Sequence, residues 1–300
     1  MSCSRSRLFL SLILTLFSVG LFALVTEGQE KGILHIIAIG AHPDDCDVVA
    51  GGVGAKWSSM GHKVRFVSVT NGDAGHQSEG GGALASRRRA EAREAGRRIG
   101  VEYVVLDNHD GELMPTLEIR HQVIRQMREW KADLVIGPRP NDYHPDHRYT
   151  GVLVQDAAYM VTVPNVCPDT PALRRNPVFM YFQDGFQKPN PFQPDVAVAI
   201  DDVIGKKLDM MDAHVSQFYE WLPWHAGMLD KVPKDPGERK KLLAAMWTED
   251  APNPAVRQAL AKWYGAEAAK TVKRAEAFEV CEYGTQPTES DLRRLFPFFP

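Results

Sequence analysis

The chain is 300 residues long, 44% hydrophobic and 24% charged, a balance that gives room for a sizeable core and excludes disordered, collagen-like and coiled-coil architectures. Its 35 Lys and Arg face 38 Asp and Glu, and the net charge of -3 leaves no overall basic field to gather nucleic acid or an anionic membrane surface. Four cysteines, at 3, 46, 167 and 281, form no CxxC pair, so any bound metal must rest on histidine and carboxylate, and a single Cys167 to Cys281 bridge is the one disulfide left open.

Residues 1–30 stand apart from the rest. Arg5 and Arg7 precede an apolar run over 8–25, and the polar stretch Thr26-Glu27-Gly28-Gln29-Glu30 follows. A basic head before an apolar body predicts export to a periplasmic or extracellular space. The run is close to the length that spans a bilayer, so an uncleaved N-terminal anchor stands as the alternative to a cleaved signal. The remaining chain divides into a catalytic domain over 31–225 and a helical C-terminal extension over 226–300.

From residue 33 strands and helices alternate. Strands are predicted over 33–39, 63–70, 102–106 and 133–137, and helices over 48–60, 84–99, 117–130 and 151–160. The strands are continuous apolar runs, the pattern of strands covered on both faces. A Pro-rich stretch (Pro164, Pro168, Pro171, Pro177) leads to further strands over 178–182 and 196–200 and a helix over 202–218. Residues 230–300 read as surface helices, the clearest over 257–269. Together these predict an α/β fold with a Rossmann-like, doubly wound, mostly parallel sheet and helices on both faces. In such sheets ligands collect beyond the carboxyl ends of the strands, so residues just after 39, 70 and 137 are expected to converge. The Gly-rich loop over 72–83 reads as a mobile segment at the sheet edge.

Two clusters sit at those strand ends. Gly40-Ala41-His42-Pro43-Asp44-Asp45 follows the first strand, with Gly51-Gly52 in the next helix, and His144-Pro145-Asp146-His147 follows the fourth. His42 and Asp45, three apart where a helix opens, can aim at one point, and His147 from across the sheet would complete a His/Asp/His set. Three protein ligands and an open position make the composition of a catalytic zinc site rather than a structural one. Asp44 is then placed to act as general base, His144 to polarise a carbonyl oxygen or protonate a leaving amine, and Asp146 to fix a histidine tautomer.

Taken singly, a His-Pro-Asp sequence is ordinarily a turn with its Asp capping a helix; two such clusters at predicted strand ends make the catalytic reading the stronger one. Gly51 and Gly52 need only permit close helix–sheet packing. Arg87-Arg88-Arg89 reads on charge alone as a solvated helix face. His109 and His214 read as capping or structural, Cys46 as a packed thiol, and Tyr219 with Trp221 and Trp224 as either core or a sugar platform.

The AHPDD followed by GG, the stretch Thr70-Asn71-Gly72-Asp73-Ala74-Gly75, the Arg88-x-x-Glu91 helix ending in Ile99-Gly100, and the HPDH together resemble the LmbE/PIG-L family of zinc-dependent N-deacetylases. The resemblance spans about residues 33–220. It implies zinc ligands His42, Asp45 and His147, the base Asp44, an electrophilic or acid role for His144, and an Arg88 that reaches substrate. It also implies removal of acetyl groups from N-acetylglucosamine-type amino sugars or their conjugates, with Tyr143 and Asp73 as further substrate-contact candidates. The chain departs from the family pattern in three places: Cys46 stands where Glu usually follows AHPDD, Asp73 replaces a Glu, and Asp142 occupies the slot that some relatives fill with Tyr. Small-molecule amino sugars or glycoconjugates are the expected partners, with no nucleic acid, and with membrane contact only through the N-terminal segment; self-association is left open. The competing readings are a metal-dependent glycan or metabolite binder, an amidase acting on a non-sugar amide, and a nucleotide-binding Rossmann protein. The last is disfavoured because no glycine fingerprint follows the first strand.

Overall fold

In the computed structural model, which describes residues 32–247 and 251–300, strand and helix alternate from the start. The first half runs β1 (His35–Gly40), α1 (Asp45–Ser59), β2 (Lys63–Thr70), α2 (Gly81–Ile99), β3 (Glu102–Asn108), α3 (Leu117–Glu129), β4 (Leu134–Gly137) and α4 (Pro145–Met160). The second half runs β5 (Val178–Phe182), β6 (Val196–Ala199), α5 (Ile204–Met211), α6 (Leu222–His225), α7 (Pro236–Trp247), α8 (Pro254–Tyr264), α9 (Ala266–Thr271), β7 (Ala275–Gly284) and α10 (Glu289–Leu295). The seven strands form one sheet in the order β3-β2-β1-β4-β5-β7-β6, parallel except for β7, which is antiparallel to both its neighbours. The doubly wound α/β expectation holds.

The continuous apolar character of β1 has a direct cause. Ile36 and Ala38 point into a core shared with α1, α2 and the C-terminal aromatics Phe278 and Phe296, while Ile37 and Ile39 point into a second core against α3 and α4. With both faces covered, no polar alternation survives. Gly52 of α1 lies where a side-chain carbon would stand 2.8 Å from Ile200, so the Gly51-Gly52 pair does serve close packing.

Both motif-bearing helices begin earlier than their sequence signals predict. α1 opens at Asp45 rather than at 48, and α4 opens at Pro145 rather than at 151, with His144 as the N-cap whose Nδ1 accepts from the Asp146 N–H. Proline at the first helical position needs no N–H partner and has its φ already set, so the HPDH cluster itself starts the helix. The helix predicted over 202–218 is broken after α5 and resumes as one turn of π-helix over Ser216–Trp221. The one predicted over 257–269 is split at Gly265, which adopts φ 86°.

The expectation of a purely helical extension over 226–300 is corrected by β7, which inserts between β5 and β6. Its Glu276 is buried and accepts from the N–H groups of Gly52 and Val53 in α1 and from Lys207 Nζ, which ties the end of the chain to the helix that begins at the first motif. Trp57 Nε1 likewise donates to the Leu295 carbonyl. A chain ended at residue 274 is therefore expected to lose cooperative thermal unfolding, since β6 would keep no strand partner; a sharp circular-dichroism melt near that of the intact protein would contradict this.

The disulfide left open by the sequence does not form. Cys167 and Cys281 are both buried and free, with Cys167 Sγ directed at the His121 carbonyl and Cys281 Sγ at the Tyr181 hydroxyl, 3.0 Å away. Cys46 is a packed thiol whose pKa burial pushes up. The apolar run over 8–25 lies outside the described residues, and among those described no helix is long and apolar enough to cross a membrane.

Candidate active site

The winding of the sheet reverses between β1 and β4, and the crevice beyond their carboxyl ends collects the two motifs as the fold class requires. Asp45 turns back on the strand end, its Oδ2 accepting from the N–H groups of Ala41 and His42 at 2.8 Å each. That fold-back presents the carboxylate to both imidazoles: Oδ2 lies 3.6 Å from His42 Nδ1 and Oδ1 lies 3.5 Å from His147 Nε2. The two ring nitrogens are themselves 3.1 Å apart. Nitrogen and oxygen ligands about 2.0–2.1 Å from a tetrahedral zinc stand about 3.3–3.4 Å from one another, a spacing that the two ring nitrogens come close to with each other and each with a different Asp45 oxygen.

The outer nitrogens fit the same reading, because a ligating histidine usually gives its second ring nitrogen to a carboxylate. His42 Nε2 lies 3.1 Å from Asp110 Oδ1 and 3.4 Å from Asp146 Oδ2, and His147 Nδ1 lies 3.0 Å from Asp142 Oδ1. Burial disfavours charge on His147, yet Asp45 and Asp142 outweigh it and carry its pKa up to about 10 among protein groups alone. Burial likewise opposes ionisation of Asp45, and the two histidines overcome it, holding that carboxyl well below its ordinary range. A cation is what this arrangement of one carboxylate and two imidazoles favours. His42, His144 and His147 also converge closely enough to hold a metal, as do His42, Asp110 and Asp146.

Asp44 points the other way from Asp45. Its Oδ1 accepts from Arg88 Nη2 at 3.0 Å, and burial raises its pKa while Arg88 pulls it down. Arg88 comes from α2 and is only 3% exposed at its side chain; besides Asp44 it donates to the Gly72 carbonyl and lies 3.6 Å from Asp110. Gly72, at φ 73°, stands so close that a side-chain carbon there would meet the guanidinium at 2.6 Å. The Arg88 guanidinium, expected to reach substrate, here orients Asp44. His144 uses Nδ1 to cap α4, which leaves Nε2 to carry the proton, and its pKa is lowered by burial and then by the neighbouring His42 and His147.

Of the remaining candidates, Asp146 is fully buried behind His42 and accepts from the Gly111 and Leu113 N–H groups, so it supports the imidazole rather than facing the crevice. The Asp73 carboxylate is engaged by His109 Nδ1 and the Asp110 N–H. Tyr143 is 73% exposed at the rim, its ring 5.8 Å from His144 and 5.5 Å from His147. The arginine run divides: Arg88 enters the site, Arg87 pairs with Glu220, and Arg89 with the exposed Asp107. His214 is structural, its Nε2 2.8 Å from the buried Asp47.

Two site residues were not singled out from the sequence. Asp110 follows β3, another carboxyl-end position of the kind already marked as ligand-gathering, and Asp142, noted only as a departure, orients His147.

Comparison with known proteins agrees with this geometry. The PIG-L family, described as GlcNAc-PI de-N-acetylase, matches residues 37–158, from within β1 to within α4. The diacetylchitobiose deacetylase of Thermococcus kodakarensis is 32% identical over 206 residues, covering 64% of this chain and 74% of the relative. The N,N'-diacetylchitobiose deacetylase of Pyrococcus horikoshii superposes with a TM-score of 0.60 at 27% identity, covering 82% of this chain and 83% of that one. GalB, the 4-carboxy-2-hydroxymuconate hydratase of Pseudomonas putida, reaches the same TM-score at 18% identity, with 85% and 99% covered, which shows the fold alone. With both motifs inside the matched segment and that degree of identity over most of a curated relative, the chain belongs to the PIG-L/LmbE family, whose deacetylase members mark it as an enzyme acting on acetylated amides.

Proposed function

We propose that the protein is an exported zinc-dependent N-deacetylase of N-acetylglucosamine-type amino sugars or their conjugates. The observation that carries this reading is the convergence of His42 Nδ1, His147 Nε2 and the Asp45 carboxylate, with Asp44 and His144 beside them. Similarity to two diacetylchitobiose deacetylases supports the amino-sugar class. The basic-then-apolar pattern over residues 1–30 supports export.

His42, Asp45 and His147 would hold the zinc ion, which when bound supplies Lewis acidity to the reaction. Asp44, steadied by Arg88, takes a proton from the attacking water. His144, whose Nδ1 is held by the Asp146 N–H at the opening of α4, keeps an Nε2–H to stabilise the developing oxyanion or protonate the departing amine. Asp146, Asp110 and Asp142 keep the two ligating rings oriented, and Tyr143 at the rim meets the sugar.

The test is acetate release from N-acetylglucosamine and N,N'-diacetylchitobiose by the full-length protein, before chelation, after it, and after zinc is restored. Release that disappears on chelation and returns with zinc is expected. Stoichiometric metal binding without release from either sugar would overturn the amino-sugar assignment and leave another amide as the substrate.

A further inference from the structure

The segment following α5 is packed onto the active-site loop, yet the catalytic reading leaves its outermost side chains unused. Its π turn over Ser216–Trp221 widens the helix by one residue, a device retained mostly where side chains must be aimed. Gln217 Nε2 donates to the Gly75 carbonyl at 3.0 Å. Glu220 accepts both Arg87 Nη groups at 2.8 and 2.7 Å and lies 2.9 Å from His76 Nε2. His76 Nδ1 in turn accepts from the Glu79 N–H. The loop after β2, whose Gly72 and Gly75 abut Arg88, is therefore clasped to this turn rather than free at the sheet edge.

Immediately beyond Glu220 the chain places two indoles. Trp221 and Trp224 stack with ring centroids 5.3 Å apart and planes inclined by 21°, and the ring of the exposed His225 lies 5.7 Å from Trp221. Trp224 is 48% exposed. Tyr219, grouped with them on sequence, is instead core, buried with Phe218, Met211 and Leu243. Neither tryptophan belongs to a hydrophobic cluster among the described residues. The stacked pair, with Trp224 exposed and Trp221 partly buried, thus follows directly on the turn that Glu220 clasps to the active-site loop, and it joins no apolar core among the described residues.

We propose that Trp221 and Trp224 form a glycan subsite at the rim of the cleft, taking a β-linked pyranose that adjoins the acetamido sugar under hydrolysis. This rests on the deacetylase reading. The C–H face of such a ring is apolar and edge-positive, which complements the electron-rich face of an indole. Two rigid rings lose little conformational entropy when they bind. The acidic group next to the pair is already neutralised, since Glu220 is satisfied by Arg87 and His76, which suits an uncharged ligand.

The test compares Trp221→Ala, Trp224→Ala and Trp224→Phe in the full-length protein on N-acetylglucosamine and on its β-linked tetramer. The alanine variants are expected to raise KM for the tetramer about tenfold with kcat unchanged, to leave the monomer within about twofold, and to be largely rescued by phenylalanine. An effect independent of glycan length, or no effect, overturns the subsite. If the wild type hydrolyses neither sugar, the deacetylase reading fails separately, and tetramer quenching of tryptophan fluorescence then decides: quenching lost in Trp224→Ala supports the subsite, and no quenching in the wild type overturns it. A changed oligomeric state, or changed pelleting with phosphatidylcholine–phosphatidylglycerol vesicles, with length dependence intact, would assign the pair to self-association or to lipid and overturn the proposal.

Discussion

Replacing Asp44 by asparagine is expected to lower kcat by about a hundredfold to ten-thousandfold while zinc content stays stoichiometric, the range a positioned general base contributes. Asparagine keeps an oxygen for Arg88 Nη2, so the local hydrogen bond and the position of α2 survive while the proton acceptor is lost. The adjacent Asp45→Asn variant separates the two carboxylates. Asp45 faces His42 Nδ1 and His147 Nε2 at 3.6 and 3.5 Å, so its loss is expected to strip the metal as well as the activity. Metal analysis alongside acetate release reads both outcomes. Wild-type turnover in Asp44→Asn would remove the base assignment, and zinc lost from Asp44→Asn but retained in Asp45→Asn would exchange the two roles.

Replacing Arg128 by methionine is expected to cost roughly 3 kcal/mol or more of stability, the largest single effect outside the site. Arg128, on α3, is 3% exposed and donates to six backbone carbonyls, those of Met160, Val161, Val163, Val166, Cys167 and Thr170. Some of these are the carbonyls that the end of α4 leaves without helical partners, and the others belong to the loop in which Cys167 takes φ 47°. Methionine fills much of the volume but donates nothing: the Met160, Val161, Val163 and Cys167 carbonyls keep their backbone donors and lose a second one, while those of Val166 and Thr170 lose the guanidinium that serves them. Because α4 also carries His147, the same variant should bind zinc more weakly. Denaturant unfolding measures the loss, and a midpoint equal to that of the wild type would show that water replaces the guanidinium without penalty.

The parallel half of the sheet was legible because its grammar is local: apolar strands followed by helices, with each motif at a strand's carboxyl end. The convergence of His42, Asp45 and His147 was legible for the same reason, since His42 and Asp45 share one turn and His147 lies at the start of the helix after the neighbouring strand. What escaped was set by distant partners. β7 reads Ala-Glu-Ala-Phe-Glu-Val, rich in helix formers, and Glu276, Ala277 and Phe278 are consecutively buried, so neither propensity nor alternation betrays a strand. Its conformation follows from its place between β5 and β6. The partners of Arg88 and Asp73 were hidden for a related reason: motif position placed both at the site but could not say that they would pair with Asp44 and His109. The buried Arg128 looked like any helical arginine, because backbone carbonyls that gather around a cation leave no trace in residue identity.

The insertion of β7 also governs when the enzyme can exist. The strand follows the other six described strands in the sequence, yet it occupies an interior slot of the sheet, so β6 waits without a strand neighbour until residues 275–284 have left the ribosome. Glu276 fastens α1, the helix that opens at Asp45, in the same late event. The sheet therefore stays incomplete until residues 275–284 are made, and a nascent polypeptide that stops short of them exposes the strand edges of β5 and β6.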